Sequence, residues 1–156
     1  MIVISDTSPI CYLLLVEQID LLPSLYQGIV IPETVEDELG ASEPPPAVKS
    51  WIANPPSWLQ VQPVEPLQDV QLGKLDPGER DAILLAERLQ ADLVILDDKA
   101  ARGVAVERGL RIIGLLGVLK DAARAGLVDL EVAFVRLQEV GFWVAPNLLE
   151  RLLMDT

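Results

Sequence analysis

The stretch Leu75–Leu119, which reads LDPGERDAILLAERLQADLVILDDKAARGVAVERGLRIIGLLGVL, decides the fold class. Its Asp-Pro-Gly opening is a helix start, and the helix that follows runs to about Gln90 with apolar side chains on one face. An apolar strand covers Leu93 to Leu96, and a further helix, strand and helix come after it. Helices of this length between short strands imply a parallel sheet with right-handed crossovers.

The rest of the chain continues this alternation. Short apolar strands are predicted at Ile2–Ser5 and Ile29–Ile31 with helices around them, and the tail is predicted to hold a strand at 142–145 and a helix from Asn147. We therefore predict an α/β fold with three layers, α/β/α, around a central and mainly parallel sheet of four to five short strands. The chain is expected to form a single domain over residues 1–156.

Residues 43–66 differ in composition from the rest and are expected to form a surface excursion of that domain. Seven of the twelve prolines lie there, together with Trp51 and Trp58, which need a surface to pack against. A short helix around Ala47–Ala53 and an extended piece at Leu59–Gln62 are predicted within this segment.

Composition indicates a folded protein without a membrane span. Hydrophobic residues make up 51% of the chain and charged residues 23%, which is unlike a disordered sequence. The longest apolar run, Ile10–Val16, is far shorter than the roughly 20 residues that cross a bilayer. The first residues, Met-Ile-Val-Ile-Ser-Asp, lack the pattern of a signal peptide, so we expect a cytoplasmic location.

The absence of histidine limits the chemistry of this chain. Without histidine, Ser-His-Asp and Cys-His mechanisms and His-ligated zinc sites are excluded. The single cysteine, Cys11, lies in an apolar run and is expected to be a small buried hydrophobe. A net charge of −12 opposes non-specific binding to nucleic acid, and it is explained by acids that bind cations, by a basic partner that binds the domain, or by solubility alone.

Acidic residues gather at one edge of the predicted sheet. Asp6 follows the first strand, and Asp97 and Asp98 follow the strand that ends at residue 96. Because every strand of a parallel sheet ends at the same edge and the crossover helices begin there, Glu79 in the first turn of its helix lies at this edge as well. The helix after the second strand adds Glu33 at the edge and further acids one turn or more deeper.

Carboxylates that converge in this way predict a divalent cation site. Unpaired carboxylates a few ångströms apart repel each other, and a cation removes that penalty. Oxygen ligands suit Mg²⁺ or Mn²⁺, and such an ion polarises a phosphate and activates water, so the inferred reaction is phosphodiester hydrolysis. Taken alone, each acid is equally explained as a helix cap or a favourable first-turn charge; the convergence on one edge favours the metal site.

Basic residues are sparse, and two of them come directly after this edge. Lys99 and Arg102 are near enough to the acids to contact a bound phosphate. The alternative is that both are ordinary salt-bridge partners on the surface of an acidic protein.

Several of these residues together resemble the PIN domain family. The first strand ends in Asp-Thr-Ser, an acidic helix carries Val-x-x-Glu-Leu at 35–39, and the string at 75–119 resembles a prokaryotic PIN-like subfamily formerly of unknown function. The resemblance covers nearly the whole chain and is weakest in the proline-rich middle. It implies a nuclease that binds Mg²⁺ or Mn²⁺ through acids at the carboxyl edge of the sheet and cleaves single-stranded RNA.

The resemblance also implies which residues carry the activity. Asp6 matches the first acid of the family, Glu38 the second and Glu79 the third. Asp98 matches the fourth, with Asp97 as its competitor, and where the family often has a threonine two residues before the fourth acid this chain has a leucine. The implied catalytic residues are Asp6, Glu38, Glu79 and Asp98, the implied metal ligands are Asp6, Glu79, Asp97 and Asp98, and the supporting hydroxyls are Thr7 and Ser8.

Partners follow from the same resemblance. The family includes the toxin nucleases of VapBC-type toxin–antitoxin pairs, so RNA, a homodimer and a small antitoxin-like protein encoded nearby are expected. The main alternative is a catalytically inactive PIN-like protein-binding module, which the strong negative charge favours slightly. A phosphatase or phosphotransfer domain is disfavoured, because Asp6 lacks a second aspartate two residues later and the Asp97-Asp98 pair follows the wrong strand.

Overall fold

The computed structural model describes residues 1–41, 43–65 and 67–142 and shows a five-stranded sheet with helices on both sides. In chain order the elements are β1 (Val3–Ser5), α1 (Thr7–Leu15), α2 (Leu21–Tyr26), β2 (Ile29–Pro32), α3 (Glu33–Leu39), α4 (Pro46–Ala53), β3 (Leu59–Gln62), a 3-10 turn (Leu72–Lys74), α5 (Pro77–Leu89), β4 (Leu93–Ile95), α6 (Lys99–Glu107), β5 (Ile112–Ile113), α7 (Leu115–Arg124) and α8 (Leu130–Glu139).

The sheet is parallel throughout, with the strand order β3-β2-β1-β4-β5. β1 is central, and its last residue, Ser5, is in register with Ile95 of β4. Because the strands run in one direction, the residue after each strand emerges at a shared carboxyl edge. The short apolar strands are typical of a parallel sheet that is covered on both faces.

Two apolar cores lie on the two faces of this sheet. Successive residues of a strand point to opposite faces, so Val3 packs into one core and Ile4 into the other. Side chains from α5 and α6 fill the second core, and those from α1, α2, α3, α4, α7 and α8 fill the first. The three-layer α/β/α fold expected from the sequence is therefore confirmed.

The N-terminal helical stretch is divided into two helices. α1 ends at Leu15, and Glu17 takes a positive φ of 59° that no helix continues through. Pro23 does not break the chain, because it lies in the first turn of α2, where a missing N–H costs nothing. The interruption between the two helices therefore lies before Leu21.

The proline-rich segment contains the predicted helix and the predicted extended piece. The helix is α4, and the extended piece is β3, which pairs with β2 at the edge of the sheet from Leu59 to Gln62. Trp51 and Trp58 pack against each other with ring centroids 5.8 Å apart. The strand predicted at 142–145 lies outside the described residues except for Phe142, and so does the helix from Asn147. Within the described part of the chain, no helix combines the length and the apolarity that crossing a membrane requires.

Candidate functional site

Asp6 is the acid that the fold buries most completely at the carboxyl edge. Its side chain is 5% exposed, and its backbone N–H donates to the carbonyl of Ile95 at 3.1 Å, which continues the β1–β4 ladder. Asp6 occupies the N-cap position of α1, yet its side chain makes no capping hydrogen bond. Among the described residues, its Oδ1 atom is buried without a hydrogen-bond partner. Capping therefore does not explain this aspartate.

Burial and neighbouring acids make the charged form of Asp6 costly. The pKa of Asp6 is raised to about 7, chiefly by burial and in addition by the charges of Asp76, Glu79 and Glu38. A carboxylate in this position favours either a proton or a cation as its companion.

Glu38 reaches the same place from α3. The hydroxyl of Thr7, the residue after Asp6, donates to Glu38 Oε2 at 2.6 Å and fixes the direction of the carboxylate. A Cβ atom on Gly78 would lie 2.5 Å from Glu38 Oε1, so in this arrangement the carboxylate occupies the space beside the glycine at the start of α5. The sequence indicated this glycine only as part of the Asp-Pro-Gly helix start.

Asp76 is the member of the acidic cluster that was not predicted from the sequence. Asp6, Glu38 and Asp76 each offer one carboxylate oxygen, and these three oxygens lie within 4.8 Å of one another. We call these residues the acidic trio. Asp76 was interpreted as a helix start, and that role is also present, because its side chain accepts a hydrogen bond from the Glu79 N–H at 2.9 Å. Its position at the N-terminus of a crossover helix was the signal that placed it at this edge.

Glu79 stands beside the acidic trio. Its Oε1 accepts from the Asp76 N–H at 3.2 Å, which completes a reciprocal capping box and holds the two acids together. Burial is the main cause that raises the pKa of Glu79 to about 7, and the charges of Asp76 and Asp98 add to it. Glu79 borders the same cavity as the trio.

The two aspartates after β4 have different surroundings. Asp97 Oδ1 accepts from the Leu115 N–H at 2.8 Å and so anchors the first turn of α7, while Asp97 Oδ2, like Asp6 Oδ1, is buried without a hydrogen-bond partner among the described residues. Burial raises the pKa of Asp97, and the charge of Arg102 lowers it. Asp98 is exposed, accepts from the Ala101 N–H at 3.0 Å as the N-cap of α6, and acts electrostatically on Glu79. Between the two competitors, Asp98 is the one whose charge reaches the acidic cavity.

Of the supporting residues predicted from the sequence, two lie at the acidic cavity and two do not. Thr7 contacts Glu38 directly, and Ser8 borders the cavity. Lys99 is exposed at the start of α6. The Arg102 guanidinium lies against Gly114, where a Cβ atom would be 2.6 Å from its Nη1, and it stabilises the charge of Asp97. Arg102 therefore fits the role of a partner for an acidic side chain.

The acidic trio opens into a cavity of about 420 Å³. Acidic and hydroxyl groups from Asp6, Thr7, Ser8, Glu38, Asp76 and Glu79 line one part of it. The remaining lining is mostly apolar and comes from Cys11, Tyr12, Leu15, Pro45 and Val140.

A divalent cation fits the donors of this cavity. The available ligands are carboxylate oxygens on three separate elements, and Asp6 Oδ1 has no other partner among the described residues. An oxygen-only set of this kind suits Mg²⁺ or Mn²⁺ and gives no preference for zinc or copper.

Comparisons with known proteins agree with this fold. The family model DUF3368, described as a PIN domain, matches residues 2–156. Among solved structures, the chain is similar to a PilT N-terminus domain protein, SSO1118, of the hyperthermophilic archaeon Sulfolobus solfataricus. The identity is 20%, the match covers 78% of this chain and 93% of that chain, and the TM-score is 0.57, a likeness that shows the fold alone. No curated protein matches the chain.

Proposed function

Because the chain belongs to the PIN domain family, we propose that it is a metal-dependent endoribonuclease that hydrolyses phosphodiester bonds of single-stranded RNA. The observation that carries the proposal is the state of Asp6, a carboxylate 5% exposed with one oxygen lacking any partner among the described residues. It faces two further carboxylates, and a cation is the companion that would let all three carry their charge together.

The acidic trio would hold this cation, with Mg²⁺ or Mn²⁺ as the expected ion. When bound, a divalent cation supplies the polarisation of a phosphate and the activation of water. The Thr7 hydroxyl keeps the Glu38 carboxylate directed towards the other two acids of the trio, and Gly78 leaves space for that carboxylate. These residues supply a preformed set of oxygen ligands, so little reorganisation is needed when the ion and the substrate bind.

Glu79 and Asp98 are proposed to complete the catalytic set. In the metal-free protein the pKa of Glu79 is raised to about 7, chiefly by burial, and the carboxyl group borders the cavity beside the trio. A group of this kind is suited to general acid–base work beside a reacting phosphate. The negative charge of Asp98 is proposed to raise the proton affinity of Glu79, whereas Asp97 anchors the first turn of α7.

The acidity of the chain is consistent with this proposal if the substrate binds together with the cation. Two negative partners, a −12 protein and an RNA strand, repel each other except where a cation lies between them. The alternative, a catalytically inactive PIN-like protein-binding module, has no use for a buried carboxylate that lacks a partner.

We also propose that the chain forms a homodimer and binds a small antitoxin-like protein in the cytoplasm. What supports this is the resemblance to toxin nucleases and the outer surface of α8, where Val132 and Val135 are about half exposed. Light scattering of the purified protein and its co-purification with the product of a neighbouring gene would test these two expectations.

The decisive experiment compares RNA cleavage by the wild type and by Asp6→Asn. A pool of single-stranded RNA is incubated with Mn²⁺ or with EDTA, and we expect cleavage only by the wild type and only with Mn²⁺. Asp37→Asn is the matched control, because Asp37 is an exposed acid one residue from Glu38, and it should cut like the wild type. A folded wild type that binds no Mn²⁺ would favour the inactive protein-binding module.

A further inference from the structure

The apolar part of the acidic cavity has a defined origin on α1. This helix begins at Thr7, directly after Asp6, and its residues Ser8, Cys11, Tyr12 and Leu15 border the cavity. These positions are three or four residues apart and form one helix face. Tyr12 lies five residues beyond Thr7, which corresponds to about 7.5 Å along the helix axis. The acidic trio and an aromatic ring therefore share one continuous wall.

Tyr12 is held in place while part of it remains accessible. The side chain is half-buried, and its ring meets that of Phe142 edge to face, with centroids 4.9 Å apart and an interplanar angle of 79°. The backbone of Phe142 is held at the end of α8, where its N–H donates to the carbonyl of Leu137. A ring that is braced from one side loses little conformational freedom when something packs on it.

The cavity offers a nucleic acid few electrostatic contacts of its own. Among the described residues that line it, none is a lysine or an arginine. Beside a bound cation and the hydroxyl groups of its lining, the cavity offers an RNA packing against Tyr12, Leu15 and Val140. Aromatic side chains bind single strands in this way, because every unpaired base has a face on which a ring stacks.

We propose that Tyr12, with Leu15 and Val140, forms a stacking pocket for an unpaired nucleobase next to the phosphate that is cleaved. The inference rests on the proposed function and gives it a physical basis for single-strand preference. In a duplex the bases are stacked on each other and paired, so none enters the stacking pocket without prior opening. Tyr12 acts here as a residue for substrate affinity and positioning, while the acids act on the phosphate.

The test removes the base and the ring separately. After the cleaved bond of one RNA oligonucleotide has been mapped, each nucleotide around that bond is replaced in turn by an abasic one. We expect one position at which the abasic change lowers kcat/KM of the wild type by about 5- to 150-fold. In Tyr12→Leu the intact RNA should be cut correspondingly more slowly, and the abasic change at that position should have almost no further effect.

Two variants control for general damage to the protein. Tyr12→Phe keeps the ring and should keep the full abasic effect. Trp58→Leu removes an aromatic side chain at the opposite, amino edge of the sheet, just before β3, and should also keep it. Mn²⁺ affinity, measured by calorimetry for each variant, shows whether the acidic trio is intact.

The outcomes separate this inference from the proposed function. If the wild type cuts in an Mn²⁺-dependent manner but no abasic position affects the rate, the stacking pocket is disproved and the nuclease stands. If Tyr12→Leu retains the abasic effect, the base is bound elsewhere and the inference is equally disproved. If EDTA and Mn²⁺ give the same absence of cleavage, the nuclease itself is refuted, and the stacking pocket with it.

Discussion

The Thr7 hydroxyl donates to Glu38 Oε2 at 2.6 Å and so joins the start of α1 to the end of α3. The two residues lie 31 positions apart in the chain, and the bond is the direct link between the residue after Asp6 and the second acid of the trio. In metal sites, the partners that orient the ligands contribute to metal affinity even though they do not touch the ion.

Thr7→Val should therefore weaken metal binding, although all three carboxylates of the trio remain. We expect the Mn²⁺ affinity to fall by about 10- to 100-fold, because Glu38 loses the donor that directs it. Calorimetric titration measures this. Thr34→Val is the matched control, since Thr34 donates to the buried Asp81 at 2.9 Å in the same manner. Asp81 is outside the cavity lining, so an equal loss of Mn²⁺ affinity in both variants would contradict the assignment.

Asp6→Asn should stabilise the metal-free protein, and increasingly so as the pH rises. The pKa of Asp6 in the folded state is about 7, against an ordinary value of 3.8. Above pH 3.8 the carboxyl group is ionised in the unfolded chain, and the free-energy cost of burying it on folding grows as the pH rises towards 7. Between pH 5 and pH 8 the advantage of the asparagine variant in free energy of unfolding should grow by on the order of 2 kcal/mol. Urea denaturation in EDTA at the two pH values measures it. A constant advantage would mean that Asp6 is not the titrating group.

Gly78→Ala should damage the site through space alone. The added methyl group would lie 2.5 Å from Glu38 Oε1, which is the end of a flexible side chain, so the carboxylate moves aside. We expect weaker Mn²⁺ binding with a change in stability of no more than about 0.5 kcal/mol. Gly103→Ala is the control, because Gly103 lies within α6 and nothing approaches its Cβ position within 4 Å. That substitution should raise stability by about 1 kcal/mol. Equal effects of both alanines would argue against the close contact with Glu38.

Asp97→Ala and Asp98→Asn should separate a structural acid from a functional one. Asp97→Ala removes the acceptor for the Leu115 N–H, and we expect a loss of about 1 kcal/mol in stability. Asp98→Asn keeps the cap of α6, because asparagine caps as well as aspartate does, but it removes the charge that acts on Glu79. We expect Asp97→Ala to lower the melting temperature more than Asp98→Asn does, and Asp98→Asn to lower the rate of RNA cleavage more than Asp97→Ala does. Thermal unfolding and RNA cleavage, measured side by side, test this. A larger loss of cleavage in Asp97→Ala, measured well below its melting temperature, would reverse the assignment.

Much of the fold followed from local pattern. The helix α5 and the strand β4 end within a residue or two of their predicted ends, and α6, β5 and α7 follow in the predicted order, because caps, periodicity and apolar runs all indicated the same elements. The parallel sheet followed from their alternation.

The site was only partly predictable, for reasons of tertiary contact. Asp76 looked like a cap because it is one, and only the approach of Glu38 to α5 reveals its second contact. Asp97 and Asp98 are adjacent in the chain, and what separates them is the N-terminus of α7, which needs an acceptor where β4 ends. The bond between Thr7 and Glu38 likewise depends on α3 lying beside α1.

The acidic trio takes one residue from the end of β1, one from α3 and one from the start of α5, which are far apart in the chain. A cation bound by all three acids would therefore cross-link the chain and close two long stretches of it, residues 6–38 and 38–76. The unfolded chain has no comparable set of ligands to compete for the cation. Cells short of that cation would hold a looser protein, more open to proteases, so the supply of the ion would set how long the protein lasts as well as whether it works.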